Sequence, residues 1–287
     1  MPPNSPLGLI AGNGRFPFLV LDAARARGER VVVAAIKEET EPGMSERALR
    51  DSAVQVHWLS LGELSKLIET FQREGVNRAI MAGQVKHRQI FSSIRPDWRL
   101  AKLLVSIGTR NTDSLLGAIG KVLSDEGITL LSSTSYLEPL LAPAGVLSKR
   151  TPTEPEQKNI AYGREVARQL AQYDIGQTVV IAESACVAVE AMEGTDAAIA
   201  RAAEIMRTLH QDDSPESFLS RALTVVKVAK PKQDLRFDVP VVGLNTITAM
   251  HQAGATCLAV DAQRCLFLDG DRMIDSANAA DISIVSS

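Results

Sequence analysis

The chain has 287 residues, with 31 lysines and arginines against 34 aspartates and glutamates and a formal net charge of −3. That length favours two domains over one, and the near balance of charge withholds the cationic footprint of a general nucleic-acid binder. Three cysteines, Cys186, Cys257 and Cys265, match neither a disulfide framework nor a zinc pattern and are expected reduced and buried.

In chain order, residues 7–11 form a short apolar run, residues 16–27 repeat with helical period, and residues 30–36 are dense in β-branched side chains. Residues 55–59 are a weaker strand, 61–74 an amphipathic helix, and 78–82 another apolar run that closes on Gly83. Helical patterns over 101–104 and 112–126 precede a strand over 128–131. Strands alternating with helices, each strand almost continuously apolar, predict a parallel sheet covered on both faces. Four prolines, Pro139, Pro143, Pro152 and Pro155, then mark a connecting segment. Beyond it come a helix over 157–171, an extended stretch broken near Ser184, a helix over 196–209, the strand "ALTVVKVA" and a helix over 246–253. Short strands over 257–260 and 265–268, a helix over 273–280 and "ISIVS" end the chain. The expected fold class is α/β: a Rossmann-like parallel-sheet domain over residues 1–138, a linker over 139–156 and a mixed α/β domain over 157–287. No basic segment with a following apolar run opens the chain, and no uncharged apolar run approaches the roughly 20 residues of a membrane span. A cytoplasmic protein is expected, with docking on a membrane surface left open.

Gly12-Asn13-Gly14 joins the first strand to the first helix, where outward backbone N–H groups and the helix dipole suit a phosphate. The third glycine of a dinucleotide fingerprint is absent, and Pro17 stands there instead, so a plain strand-to-helix turn explains the motif equally well. Gly83 ends a neighbouring strand, and two glycine turns at strand carboxyl ends point to one cleft, with Lys86 as a phosphate partner or a solvated lysine. Asp113 opens a helix as a cap, or contacts ribose or a metal.

Later, "VEAMEGTD" groups Glu190, Glu193 and Asp196 around Gly194 and Thr195, oxygen ligands suited to Mg²⁺ or the acids and cap of a helix start. The densest stretch, "KVAKPKQDLRFDVPVVGLNT", holds Lys227, Lys230, Lys232, Gln233, Asp234, Arg236 and Asp238. If extended, it projects one set of charges to one side. Cations there can hold diphosphate oxygens while a carboxylate binds metal or orients water; a solvated edge strand is the other reading. His57, His87, His210 and His251 have no mutual ligand spacing, and no acyl-transfer elbow or P-loop lysine appears.

"GLIAGNGRFP", "MAGQVK", "DIGQTVVI", "AVEAMEGTDA" and "KVAKPKQDLRFDVPVVG" together resemble, in order, segments of the LpxI family of UDP-2,3-diacylglucosamine pyrophosphatases, and the likeness runs from Leu7 to about Leu268. The resemblance implies a Mg²⁺-dependent hydrolase of lipid A biosynthesis that splits UDP-2,3-diacylglucosamine into UMP and 2,3-diacylglucosamine 1-phosphate (lipid X). It further implies two domains with the lipid held between them and a homodimer through the carboxyl-terminal domain; the charge balance leaves no nucleic-acid partner expected, and a peripheral contact with the cytoplasmic face of the inner membrane stays open. The family's essential aspartate falls in Arg236-Phe237-Asp238-Val239-Pro240, which makes Asp238 the catalytic residue. Gly12, Asn13, Gly14, Gly83, Lys86, Asp113, Thr195, Lys230, Gln233 and Arg236 become the expected substrate contacts, and Asp238, Asp196 and Glu193 the expected metal ligands. Two departures touch the surroundings: Asn111-Thr112-Asp113 has one acid where many relatives have two, and Lys232 replaces a glycine. An NAD-dependent oxidoreductase would require a ribose-binding acid ending the second strand, where Lys37 follows Ile36. A non-catalytic nucleotide-sugar or lipid-binding regulator would be indifferent to Asp238→Asn.

Overall fold

The computed structural model describes residues 5–85, 95–107, 112–209, 223–231 and 233–287. Contacts divide the chain into two units, the first taking the described part of Met1–Glu138 with Asp234–Asp238, the second that of Pro139–Gln233 with Val239–Ser287.

In the first unit, β1 (Leu7–Ala11), β2 (Val31–Ile36), β3 (Val54–Leu59), β4 (Arg78–Ala82) and β5 (Thr129–Leu130) form one sheet in the order β3-β2-β1-β4-β5. Every neighbouring pair is parallel; Leu7 faces Val31 on one side and Arg78 on the other. Chain order reverses between β1 and β4, which makes their carboxyl ends the switch point where ligands of such sheets collect. The described helices are α1 (Phe16–Ala26), α2 (Gly43–Arg50), α3 (Leu64–Arg73), α4 (Trp98–Ile107) and α5 (Thr112–Asp125). Val32 and Ala34 pack with Ile68 and Phe71 of α3, Leu100 of α4 and Leu123 of α5. Side chains alternate along a strand, so Val31, Val33 and Ala35, also buried, line the other face. Burial on both faces is why β2 carries an unbroken apolar run. After β5, Tyr136 and Arg78 converge on Glu29 at 2.8 and 2.6 Å, pinning the segment that bears Ser133.

The second unit contains β6 (Gly145–Val146), β7 (Thr178–Ala182), β8 (Ala185–Val189), β9 (Leu223–Lys227), β10 (Val241–Val242), β11 (Ala255–Val260), β12 (Leu266–Phe267) and β13 (Ser283–Ser286). Six of these form a mixed sheet, β6-β13-β11-β9-β7-β8, parallel through β13, β11 and β9 and antiparallel outside them; β10 and β12 pair separately. Its helices are α6 (Glu154–Gln172), α7 (Thr195–Leu209), α8 (Leu244–Ala253) and α9 (Asp271–Ala279). Val179, Ile181 and Val226 meet Ala167 and Ala171 of α6 on one face, while Val180, Val225 and Leu258 join the core built with α7, α8 and α9 on the other. The break foreseen near Ser184 is a two-residue hairpin turn, with Glu183 and Ser184 both at positive φ, as tight hairpins between twisted strands require.

The proline-rich stretch expected as a linker is instead built into the second unit. Val146 pairs with Val285, Ala142 N donates to Cys265 O at 2.9 Å, and Thr153 and Glu156 form a capping box at the start of α6. Its prolines interrupt helix, not packing. Cys257 and Cys265 are buried as expected, but Cys186 is exposed at the edge strand β8.

Candidate active site

At the carboxyl end of the first unit's sheet, the two glycine turns are stitched to each other. Gly12 N donates to Ala82 O at 2.8 Å, Asn13 N to Gln84 O at 2.8 Å and Gln84 N to Asn13 O at 3.3 Å. A Cβ on Gly12 would stand 2.6 Å from Gln84 O, and one on Gly83 would stand 2.6 Å from Asn13 O. Glycine is required at both positions because backbone passes against backbone. This corrects the expected phosphate cradle: the N–H groups of Gly12 and Asn13 serve the protein's own carbonyls. Gly14 differs, since its φ is +84° and a Cβ there would meet open space.

One residue that the sequence reading passed over sits beside this turn. Glu39 is 6 % exposed, three residues beyond β2, and accepts from Asn13 Nδ2 at 3.3 Å. It is a buried carboxylate in the turn that follows the second strand, where the sequence pattern shows Lys37 directly after Ile36. The pair Glu38-Glu39 was its available signal.

Asp234–Asp238 belongs to this same unit, although its position in the chain assigned it to the carboxyl-terminal domain. The reason is packing: Phe237 joins the first unit's core beside Leu130, and it fits because position 120 is glycine, where a Cβ would come within 3.0 Å of its ring. Buried Ser133 completes the attachment, with its N donating to Leu235 O at 2.8 Å and its Oγ lying 2.7 Å from Met81 O and 2.9 Å from Arg236 O. The segment therefore lies against β4 just before Gly83.

Nor is this segment extended, as the charge alternation suggested. Phe237 N and Asp238 N both donate to Asp234 O, at 3.0 and 3.1 Å, closing a turn. Asp234 drives that turn by accepting Arg236 N on Oδ1 at 3.1 Å and the guanidinium Nη2 on Oδ2 at 2.6 Å, a local side-chain bond that competes with strand. The guanidinium bond holds the Asp234 carboxyl below its ordinary value, and the carboxylate in turn raises Arg236. The result is a preset cation with the Asp238 carboxylate two residues on, beside a parallel-sheet switch point: a set able to hold diphosphate oxygens and to accept a proton from water.

In the second unit, Lys230 pairs with Asp174, and Lys230 N donates to Gln233 Oε1 at 2.6 Å. Gln233 Nε2 is buried without an acceptor among the described residues, a costly state that a ligand oxygen would relieve. Thr195 Oγ1 accepts from buried Lys227 Nζ and donates to buried Glu190 Oε1, both at 2.7 Å.

The expected three-carboxylate metal set does not assemble. Glu193 accepts from Ala191 N at 3.0 Å and Arg201 Nη2 at 2.6 Å, and its own backbone N–H, followed by Arg201, holds its carboxyl low, while Asp196 accepts from Thr246 Oγ1 at 2.9 Å. Both belong to the second unit and Asp238 to the first, and no group of three or more potential ligands forms among the described residues. Lys86 lies outside the described residues, as does the side chain of Asp113, whose backbone is in the first turn of α5.

With this geometry in place, comparisons with known proteins add independent findings. The family model for the LpxI N-terminal domain matches residues 6–140, and that for the LpxI C-terminal domain matches residues 143–285. A protein named UDP-2,3-diacylglucosamine pyrophosphatase LpxI, from Caulobacter vibrioides, is 30% identical over 279 residues, covering 95% of this chain and 94% of its own length.

Proposed function

The chain belongs to the LpxI family, and from that premise we propose that it hydrolyses the diphosphate of UDP-2,3-diacylglucosamine to UMP and 2,3-diacylglucosamine 1-phosphate, a step of lipid A biosynthesis. The observation that carries the reading is the Asp234–Asp238 turn, clamped by Ser133 at the carboxyl end of β4 beside the Gly12 and Gly83 turns.

In this reading Gly14 and the start of α1 take the nucleotide side of the diphosphate, where the helix dipole favours an anion. Arg236, already oriented by Asp234, neutralises phosphate oxygens and accommodates charge that grows as the bond breaks. Asp238 accepts a proton from the attacking water. The water oxygen bonds to the sugar-side phosphorus, the bridging oxygen departs with UMP, and the water's oxygen remains on the sugar phosphate. Gln233, whose buried Nε2 has no acceptor among the described residues, is assigned to the substrate, as are Lys230 and Thr195 on the strength of the family likeness.

Mg²⁺ dependence is part of the proposal. This ion is commonly held by one or two carboxylates plus substrate phosphates, a donor chemistry that Asp238 can supply without a three-residue cluster. When bound, Mg²⁺ would neutralise diphosphate charge. A homodimer through the carboxyl-terminal domain and a cytoplasmic location with peripheral membrane contact complete the reading; no helix among the described residues is long and apolar enough to cross a membrane.

The test is UMP release from UDP-2,3-diacylglucosamine by purified protein with and without Mg²⁺, beside Asp238→Asn and Asp238→Ala. Wild type should release UMP and both variants should lose about 10²–10⁴-fold. In ¹⁸O-water the label should appear in the sugar phosphate. No release by wild type overturns the function, undiminished variants overturn the role of Asp238, and label in UMP overturns the site of attack.

A further inference from the structure

We infer that the outer face of α4 is a docking surface for an anionic phospholipid bilayer, an inference that rests on the proposed lipid substrate and names the surface through which the protein meets it. At about 100° per residue, Leu100, Leu103 and Ile107 fall on one side of α4 and pack against the first unit's core. Trp98, Lys102 and Val105 fall on the other side, where Trp98 is 66% exposed and Val105 86%, while Leu104 lies on the flank beside Leu100. A large aromatic and a β-branched aliphatic side chain side by side in water on one short helix face, with a half-exposed leucine at its flank, are an arrangement that calls for a partner.

Charge identifies that partner. Within residues 95–107 the acid is Asp97, and its carboxylate turns back to accept Leu100 N at 2.9 Å and Ser65 N at 2.5 Å. Arg95 and Lys102 are exposed, while Arg99 pairs with Glu126 and lies over the Trp98 ring at 5.2 Å. The face is thus apolar and cationic, the composition that lies flat in a lipid interface with tryptophan at headgroup depth and lysine reaching to phosphate. Self-pairing of two such faces would bring Arg95 and Lys102 against their own copies, which argues against a second chain as occupant.

The experiment uses full-length protein with vesicles of phosphatidylcholine alone or with phosphatidylglycerol, and no substrate. Co-sedimentation and a blue shift of tryptophan emission are expected with phosphatidylglycerol and not without it, falling steeply as salt is raised. Val105→Asp and Lys102→Glu should each weaken binding at least tenfold, with thermal unfolding and hydrolysis of dispersed short-chain substrate unchanged. Absence of binding to the anionic vesicles, variants that bind as wild type does, or a concentration-dependent dimer abolished by Val105→Asp would each overturn the assignment. Vesicle binding is read without turnover, so its failure leaves the hydrolase reading intact, and a catalytically silent protein that binds vesicles sinks that reading alone.

Discussion

The Ser133 hydroxyl oxygen lies 2.7 Å from Met81 O, and the same atom reaches Arg236 O at 2.9 Å. One buried side chain ties the end of a strand to a segment about a hundred residues away in sequence. Ser133→Ala should therefore cost about 1–2 kcal/mol of stability and lower kcat by more than that loss of fold explains. Urea unfolding beside UMP release checks this; a variant destabilised but fully active at low temperature would show that the tie does not position the turn.

Arg236 and Asp234 are each about two-fifths exposed, so their pairing contributes little to stability, ~0–1 kcal/mol. Its value is geometric, because a planar guanidinium held by a carboxylate presents its remaining donors in a fixed fork. Arg236→Lys should keep the fold and lose roughly 10²-fold in kcat/KM, while Asp234→Asn should lose less, chiefly in KM. Equal activity of Arg236→Lys and wild type would remove Arg236 from the phosphate site.

Gly12 and Gly14 differ in what a side chain would meet. Alanine at Gly12 or Gly83 places a methyl 2.6 Å from a backbone oxygen and should cost at least ~2–3 kcal/mol by thermal unfolding. Alanine at Gly14 meets only its positive φ, a cost of ~1–2 kcal/mol, and should instead raise KM. The order would reverse if Gly14 were the packed position.

Glu156 sets an acid limit on the second unit. Burial pushes its carboxyl up, but bonds from Arg150, Thr256 and Thr153 N outweigh this and bring it from 4.5 down to about 2. A carboxylate depressed in the folded state stabilises fully above its unfolded value and loses that contribution as pH falls toward the folded one. Stability should therefore decline between about pH 4.5 and 2, by roughly 3 kcal/mol from this group. Glu156→Gln should be destabilised at pH 7 and flatter over that window; an unchanged acid profile would contradict the assignment.

Much of the fold was legible because β-branched runs such as Val31–Ile36 can only be buried strands. Helix α2 was passed over since Met44 is its one buried side chain, which leaves no apolar period to see. The acids of 190–196 are visible as a group, but Thr246, the partner of Asp196, lies 50 residues away, and Arg201 meets Glu193 only once the helix between them is folded, so engaged carboxylates read as available. Alternating charge in Asp234–Asp238 carried the period of a strand, and the Asp234–Arg236 bond that makes it a turn is invisible to periodicity. That the segment packs on the first unit depends on Phe237 meeting Gly120, a long-range fit with no local signature.

The return of Asp234–Asp238 to the first unit, between Gln233 and Val239 of the second, has consequences for dissection and for synthesis. A fragment cut after Glu138 would hold every strand of the parallel sheet yet lack Arg236 and Asp238, with an empty seat over Gly120. The complementary fragment would carry the missing turn with Phe237 stripped of its pocket. On the ribosome, the amino-terminal sheet can form early, but its Asp234–Asp238 corner must wait until most of the second unit has emerged.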